Sequence, residues 1–380
     1  MDATAPHDSS IGEGGPLRRF EAVCHLTTLR GQLAAVLLFT WVPIVVFSLL
    51  HERVTGGTAV LLHHPAVHVR LLVGAPVLLL LDHIFPSACN HVLRQLSRQG
   101  FITEAARPRW ERLLRSAKRL SDSALPEIVL AVACVALGVA VLSGVIPVAG
   151  LIARDSLTAA QIWYGLTALP LFEFLLLRSL WRWIIWLRVL IGLARIDLDL
   201  DPTNPDGHGG IGFLRAPSLN YCLCLLFTIA SVLCAEWGAR GATDATLTTF
   251  LPPLLAFAIL GTLLAYGPLL LFIPQLVRAR REARDELGRI SAEAGRWLRR
   301  TQFDLPDTAA VIQRPEVQGL AALSAIYREA SSSIGLFMLK KRDLVLVVLV
   351  TLLPMVPLMV WKIPYEDWVS MARMVTRALP

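Results

Sequence analysis

Long apolar runs separated by basic, polar stretches set the pattern of this chain. A helix needs about 20 mostly apolar residues to cross the hydrocarbon layer. Seven segments meet or approach that length: 31–50, 69–88, 125–147, 160–183, 213–237, 250–277 and 343–361. The first, GQLAAVLLFTWVPIVVFSLL, is uncharged, longer than a signal-peptide core and followed by no small-residue cleavage site, so it is expected to stay as an anchor. The second carries Asp82 and His83 within it, and either spans the membrane or re-enters it.

The polar stretches are helical too. Over residues 103–121, Trp110, Leu113, Leu114, Ala117 and Leu120 recur on one stripe, with Arg112, Arg115, Lys118 and Arg119 opposite or beside it. Such a helix suits an anionic membrane surface or the protein's own inner helices. Over residues 278–300, Ala283, Leu287, Ile290, Ala294 and Trp297 alternate steps of four and three, a short heptad seam. That seam would pack on a helix over 315–335 or on a second copy of the chain, making a homo-oligomer.

The expected architecture is therefore all-α: a polytopic transmembrane helical bundle of about seven spans with cytoplasmic helical segments. Residues 1–16 are polar and rich in Gly, Pro and Ser, and read as disordered. Residues 17–277 form the transmembrane core, 278–342 a cytoplasmic helical segment, 343–361 the seventh span and 362–380 a periplasmic tail. No internal repeat is evident in the sequence.

Composition agrees. At 55% hydrophobic, 17% charged and a mean hydropathy of +0.58, the chain is unlike an ordinary soluble protein. Of its 36 Lys and Arg, 29 lie in residues 1–30, 89–124, 178–215 and 278–342, and 7 lie elsewhere. Basic residues flanking spans stay on the cytoplasmic side, so the amino terminus is expected inside and the carboxyl terminus outside. Dropping the second span would scramble this alternation. The net charge of +7 is then topological, and nucleic acid is not an expected partner. The six cysteines, Cys24, Cys89, Cys134, Cys222, Cys224 and Cys234, form no CxxC pair and imply neither zinc knuckle nor disulfide framework.

Ionisable groups inside a span are costly and mark a pathway or a buried pair. Asp82 and Glu173 each lie 13 residues from the outer end of their segments, about 20 Å at 1.5 Å per residue. With His83 and Arg178 they form a candidate ion or solute pathway open to the cytoplasm. The alternative is that both carboxylates pair with Arg178 or Arg182 to satisfy charge. Pro43, Pro76, Pro170, Pro252, Pro253, Pro268, Pro274, Pro354 and Pro357 break the spans, and freed carbonyls suit a polar cavity. On the other side His63, His64 and His68 are a weak metal candidate, because Pro65 interrupts the helix that an i,i+4 pair would need.

DLDLDPTNPDGHGGIGFL, residues 197–214, is the stretch richest in unusual chemistry. Gly207, Gly209 and Gly212 spell GxGxxG, but an acidic, Pro-rich turn leads into it and a membrane span follows, which is not dinucleotide-binding context. Asp197, Asp199 and Asp201 start like an EF-hand, yet Pro202 and His208 occupy the positions that require Gly and Glu. Two readings remain. In one, Asp197, Asp199, Asp201, Asp206 and His208, with the amides of Gly209 and Gly210, hold a divalent cation or an anion. In the other, Asp206 caps the next helix and His208 donates to a carbonyl.

The run PTNPDGHGGIGFL resembles a Pro-Asp-x-x-Gly-Gly-x-Gly-Phe-Leu motif, here at residues 205–214, of a group of uncharacterised bacterial integral membrane proteins. There too it follows a Trp/Arg-rich helix and a short acidic turn. The resemblance covers residues 181 to 214 and implies a multi-pass protein of the bacterial inner membrane, without an activity. The functional expectation is an ion or small-solute channel or transporter. The alternatives are a membrane-embedded, metal-dependent enzyme at the cytoplasmic face and a scaffold or sensor acting through its cytoplasmic helices, with anionic lipids as surface partners.

Overall fold

The structure is a computed structural model; it describes residues 28–146, 157–201, 204, 206, 208–239, 247–302 and 341–357. No strand occurs among them; only an isolated bridge joins Ile102 to Leu198. The first long apolar helix is α1 (Leu29–Thr55), which starts on a Thr28 cap whose hydroxyl accepts from the Gly31 amide at 3.2 Å and ends on Gly56 in the left-handed region. Two short helices follow, α2 (Val60–His63) and α3 (Pro65–Val69). A π turn over Arg70–Gly74 then leads into α4 (Ala75–Arg98). Next come α5 (Arg107–Asp122) and α6 (Ala124–Leu142).

The next unit repeats the form of α3 and α4. A five-residue helix α7 (Ala159–Trp163), a π turn over Tyr164–Ala168 and a long helix α8 (Leu169–Leu193) follow one another. In each unit a proline, Pro76 or Pro170, lies six residues after the first residue of the π turn. Proline lacks an N–H and its ring crowds the carbonyl four residues back, and a widened turn just before it relieves that clash. The recurrence lies in backbone form rather than in residue identity, so the two stretches do not read as a repeat in their amino acids.

A 3-10 turn at Gly212–Leu214 opens α9 (Arg215–Ala239), followed by α10 (Leu247–Tyr266), a second 3-10 turn at Gly267–Phe272, α11 (Ile273–Gln302) and α12 (Lys341–Leu352). Among the described residues, five helical runs are long and apolar enough to cross a membrane: Leu29–Thr55, Pro65–Arg98, Arg107–Leu142, Gly212–Ala239 and Leu255–Ile290. Seven spans were expected, and the difference has a physical reason in two helices. α8 is long enough but falls short in composition, because Glu173, Arg178 and Arg182 sit in it; it runs inside the bundle against α4, α5 and α6. The seventh segment is a 12-residue helix within the described residues. The expected disordered residues 1–16, the helix over 315–335 and the tail at 362–380 lie outside them.

The main core gathers Leu78, Leu81, Phe85, Leu175, Trp183, Trp186, Tyr221 and Phe272 around α4, α8 and α9. The amphipathic stripe of α5 joins this core: Trp110 and Ala117 are buried, and Leu113 lies against Gly192 of α8, where a Cβ would stand 2.5 Å from its Cδ1. Of the two surfaces expected for that stripe, it takes the protein's own helix. In α11, Ile290 of the expected heptad seam is exposed.

α6 and α8 approach at glycine. A Cβ on Gly138 would run into the Gly165 carbonyl oxygen and lie 2.8 Å from Pro170 Cγ. The Gly138→Ala chain is therefore expected to lose about 1–3 kcal/mol, the usual cost of overpacking, seen as a lower melting temperature in detergent. An unchanged melting temperature would mean that the two helices can separate freely at this point.

Candidate functional site

Four charged side chains meet in the interior. Arg178 and Arg182, one turn apart on α8, face Asp82 of α4 and Glu127 in the first turn of α6. Arg178 donates from Nη1 to Asp82 Oδ2 and from Nε to Glu127 Oε1, both at 3.0 Å. Arg182 donates to Asp82 Oδ1 and, at 3.0 Å, to the Asp82 backbone oxygen. All four are buried, Arg178 to 1% exposure. The cluster is neutral in sum, two guanidiniums against two carboxylates, as charge in a low-dielectric interior requires.

A second polar cluster sits towards the amino-terminal ends of the same helical runs. Arg70 opens the first π turn and Tyr164 the second. Arg70 Nη1 donates to Tyr164 Oη at 2.6 Å, and Nη2 pairs with Glu236 Oε1 of α9 at 2.8 Å. This clamp joins three helices where two of them widen, and π turns are common at functional positions. Glu173 lies two turns further along α8, half-buried, with Arg70 the charged group acting on it. Among the described residues it makes no hydrogen bond or ion pair.

The expected pathway group therefore divides. Asp82 and Arg178 are brought together as an ion pair, and Glu173 takes no part in it. His83 donates from Nδ1 to the Leu79 carbonyl at 3.1 Å, within its own helix. Glu127, Arg70, Tyr164 and Glu236 do not stand out in the sequence, because each lies near the end of an apolar run, where a polar residue reads as a flank.

At the histidine end, Trp41 Nε1 donates to His68 Nδ1 at 3.0 Å and His68 Nε2 donates to the Leu62 carbonyl at 2.8 Å. Both ring nitrogens are thus engaged, which leaves His68 no lone pair for a metal. His63 is exposed. Burial holds the His64 imidazole below its ordinary value; the Glu236 carboxylate opposes this, while Arg70 and His68 reinforce it.

The Gly/Asp loop folds around one carboxylate. Asp206 Oδ1 accepts from the amides of His208 at 2.7 Å and Gly210 at 2.9 Å, and Oδ2 accepts from Gly212 at 2.8 Å. Asn204 Oδ1 in turn accepts from the Asp206 amide at 3.1 Å. Gly209 and Gly210 have φ of +66° and +88°, and a Cβ on Gly210 would meet Phe101 Cζ at 2.7 Å, so glycine is required there on both counts. The loop is tied to its neighbours by the Asp199 amide on the Phe101 carbonyl at 2.8 Å. Gln275 of α11 adds bonds from Nε2 to the carbonyls of Ala194 and Ile196 at 2.9 and 2.7 Å.

The two expectations for this stretch are thereby separated. The glycine amides do form an anion-binding nest, and its occupant is the chain's own Asp206, always within reach. Asp206 organises the turn and reaches the Gly212 amide, but the residue before the 3-10 turn is Ile211, which makes no side-chain cap bond, and His208 does not donate to a carbonyl: it is buried, and among the described residues neither ring nitrogen has a partner. Asp197, Asp199 and Asp201 are exposed, Asp197 lying 3.7 Å from Arg278. No group of three or more His, Cys, Asp or Glu placed to hold a metal occurs among the described residues, so the donor set expected for a divalent cation is not assembled. A third charged contact, unforeseen, closes this end: Asp343 Oδ2 of α12 accepts from Arg215 Nη1 at 2.8 Å and from Tyr266 Oη at 2.9 Å. No family model, curated protein or solved structure matches this chain.

Proposed function

We propose that this chain is an integral membrane pathway for an ion or small solute, with Glu173 as the carboxylate that takes up and releases the travelling proton or cation. A contrast within one bundle supports the reading. Asp82 and Glu127 are both held by arginines, whereas Glu173 is half-buried in α8 with no bond of its own among the described residues. A carboxylate fixed by two guanidiniums releases its charge only at the cost of breaking a buried network. An unbonded one inside the helical bundle exchanges readily, and ionisable groups within membrane-embedded bundles mark transport routes.

In this reading the chain lies in a bacterial inner membrane with the Gly/Asp loop at the cytoplasmic face, in keeping with the crowding of Lys and Arg at that end and with the resemblance of residues 205–214. Flux in proteoliposomes under an imposed pH gradient tests it. Glu173→Gln is expected to abolish proton-coupled flux while leaving melting temperature and monodispersity as in the wild type. Asp82→Asn is expected to lower the yield of folded protein instead. Wild-type flux through Glu173→Gln would sink the proposal.

A further inference from the structure

We propose that the elbow between α5 and α6 is a binding site for one anionic phospholipid. The apolar stripe of α5 is taken up by α8, which leaves its basic face turned outward where the chain enters the third apolar run. There Arg115, Lys118, Arg119, Asp122 and Ser123 line an open groove of about 540 Å³. Three cations against one carboxylate leave it positive. α6 begins at the next residue, and Ser123 makes no side-chain cap bond, so the first amides of α6 add their positive end to the same place.

An apolar surface adjoins the groove. Leu125, Ile128, Val129 and Val132 are 72%, 57%, 57% and 64% exposed, and their spacing puts them on one face of α6. A basic groove continuous with an exposed apolar helix face matches a phosphate diester carried on acyl chains. A free phosphate would use only the groove and a neutral lipid only the face. The long stems of Arg115, Lys118 and Arg119 let the charges reach headgroup level while their carbons lie along the helix. Such a site requires only that α6 crosses a membrane, whatever the role of Glu173.

Native mass spectrometry of the full chain in detergent, titrated with phosphatidylglycerol or phosphatidylcholine, tests it. The wild type is expected to hold one phosphatidylglycerol tightly and phosphatidylcholine weakly. Arg115→Gln/Lys118→Gln/Arg119→Gln is expected to weaken phosphatidylglycerol at least about tenfold, each basic group at a membrane surface contributing severalfold. Arg94→Gln/Arg109→Gln/Arg112→Gln removes as much charge outside the groove and is expected to keep the lipid. The single reversal Arg119→Glu gives the same reading should the triple variant fail to fold. Equal loss in both triple variants, equal affinity for phosphatidylcholine, or displacement of the lipid by millimolar inorganic phosphate would each overturn the assignment.

Discussion

An Asp82→Ala chain is expected to lose about 3–5 kcal/mol of stability, the usual cost of removing one partner from a buried ion pair. Asp82 receives Arg178 and Arg182 on its two carboxylate oxygens. Without it, Arg178 and Arg182, 1% and 8% exposed, lose the carboxylate they share, while Glu127 stays with Arg178. Arg cannot shed its proton, so the excess charge has no titration by which to escape, and the helices must part or admit water. A loss of that size is a large share of the about 5–15 kcal/mol by which a folded protein exceeds its unfolded state. The expected result is a broad or missing thermal transition in detergent and poor recovery of monodisperse protein. Asp197→Ala, an exposed change at the loop, is expected to stay within about 0.5 kcal/mol of the wild type. A wild-type transition for Asp82→Ala would mean that the arginines have other acceptors of equal quality.

Asp206→Ala is expected to have the second-largest effect, about 3 kcal/mol, and a local one. Three amides lose their acceptor at once, and an unsatisfied buried donor costs about 1–3 kcal/mol; water reaching the half-buried site offsets part of it. Freed of those bonds, the glycines at positive φ regain the backbone freedom that the turn had taken from them. Hydrogen exchange at Gly210 and Gly212 is expected to accelerate strongly while α4 and α8 keep their protection, since Phe101 and Gln275 anchor the loop from outside. Unaltered exchange at both glycines would show that Asp206 does not organise the turn.

The long apolar helices were legible because an apolar run of about 20 residues is longer than a buried core helix usually supplies. The loop was legible in kind, since Asn-Pro and Asp-Gly announce tight turns, but not in its occupant: whether amides bind a foreign anion or a local carboxylate depends on backbone dihedrals that composition does not carry. Asp82 and Arg178 stood out as charges within apolar runs, whereas Glu127, the third residue of its segment, merged with the polar flank. Arg70 and Glu236 did likewise at the ends of theirs. Pairing of such residues depends on which helices are neighbours, and the order of helices in a bundle is set by packing, not by local pattern. Hydropathy ranks α8 differently from its neighbours for a similar reason: its arginines are matched by carboxylates on other helices, which a window along one helix does not register.

The paired π turns have a geometric consequence. Each contains one residue more than an α-helix would use to cover the same rise, and one residue is about 100° of rotation. Everything beyond Gly74 in the one unit and Ala168 in the other is therefore turned by that angle relative to an unbroken helix. Both helical runs take this step ahead of the residues that pair, Asp82 and Arg178. The two widened turns thus act as a matched pair of phase shifts, and altering either by one residue changes what the far half of its helix faces.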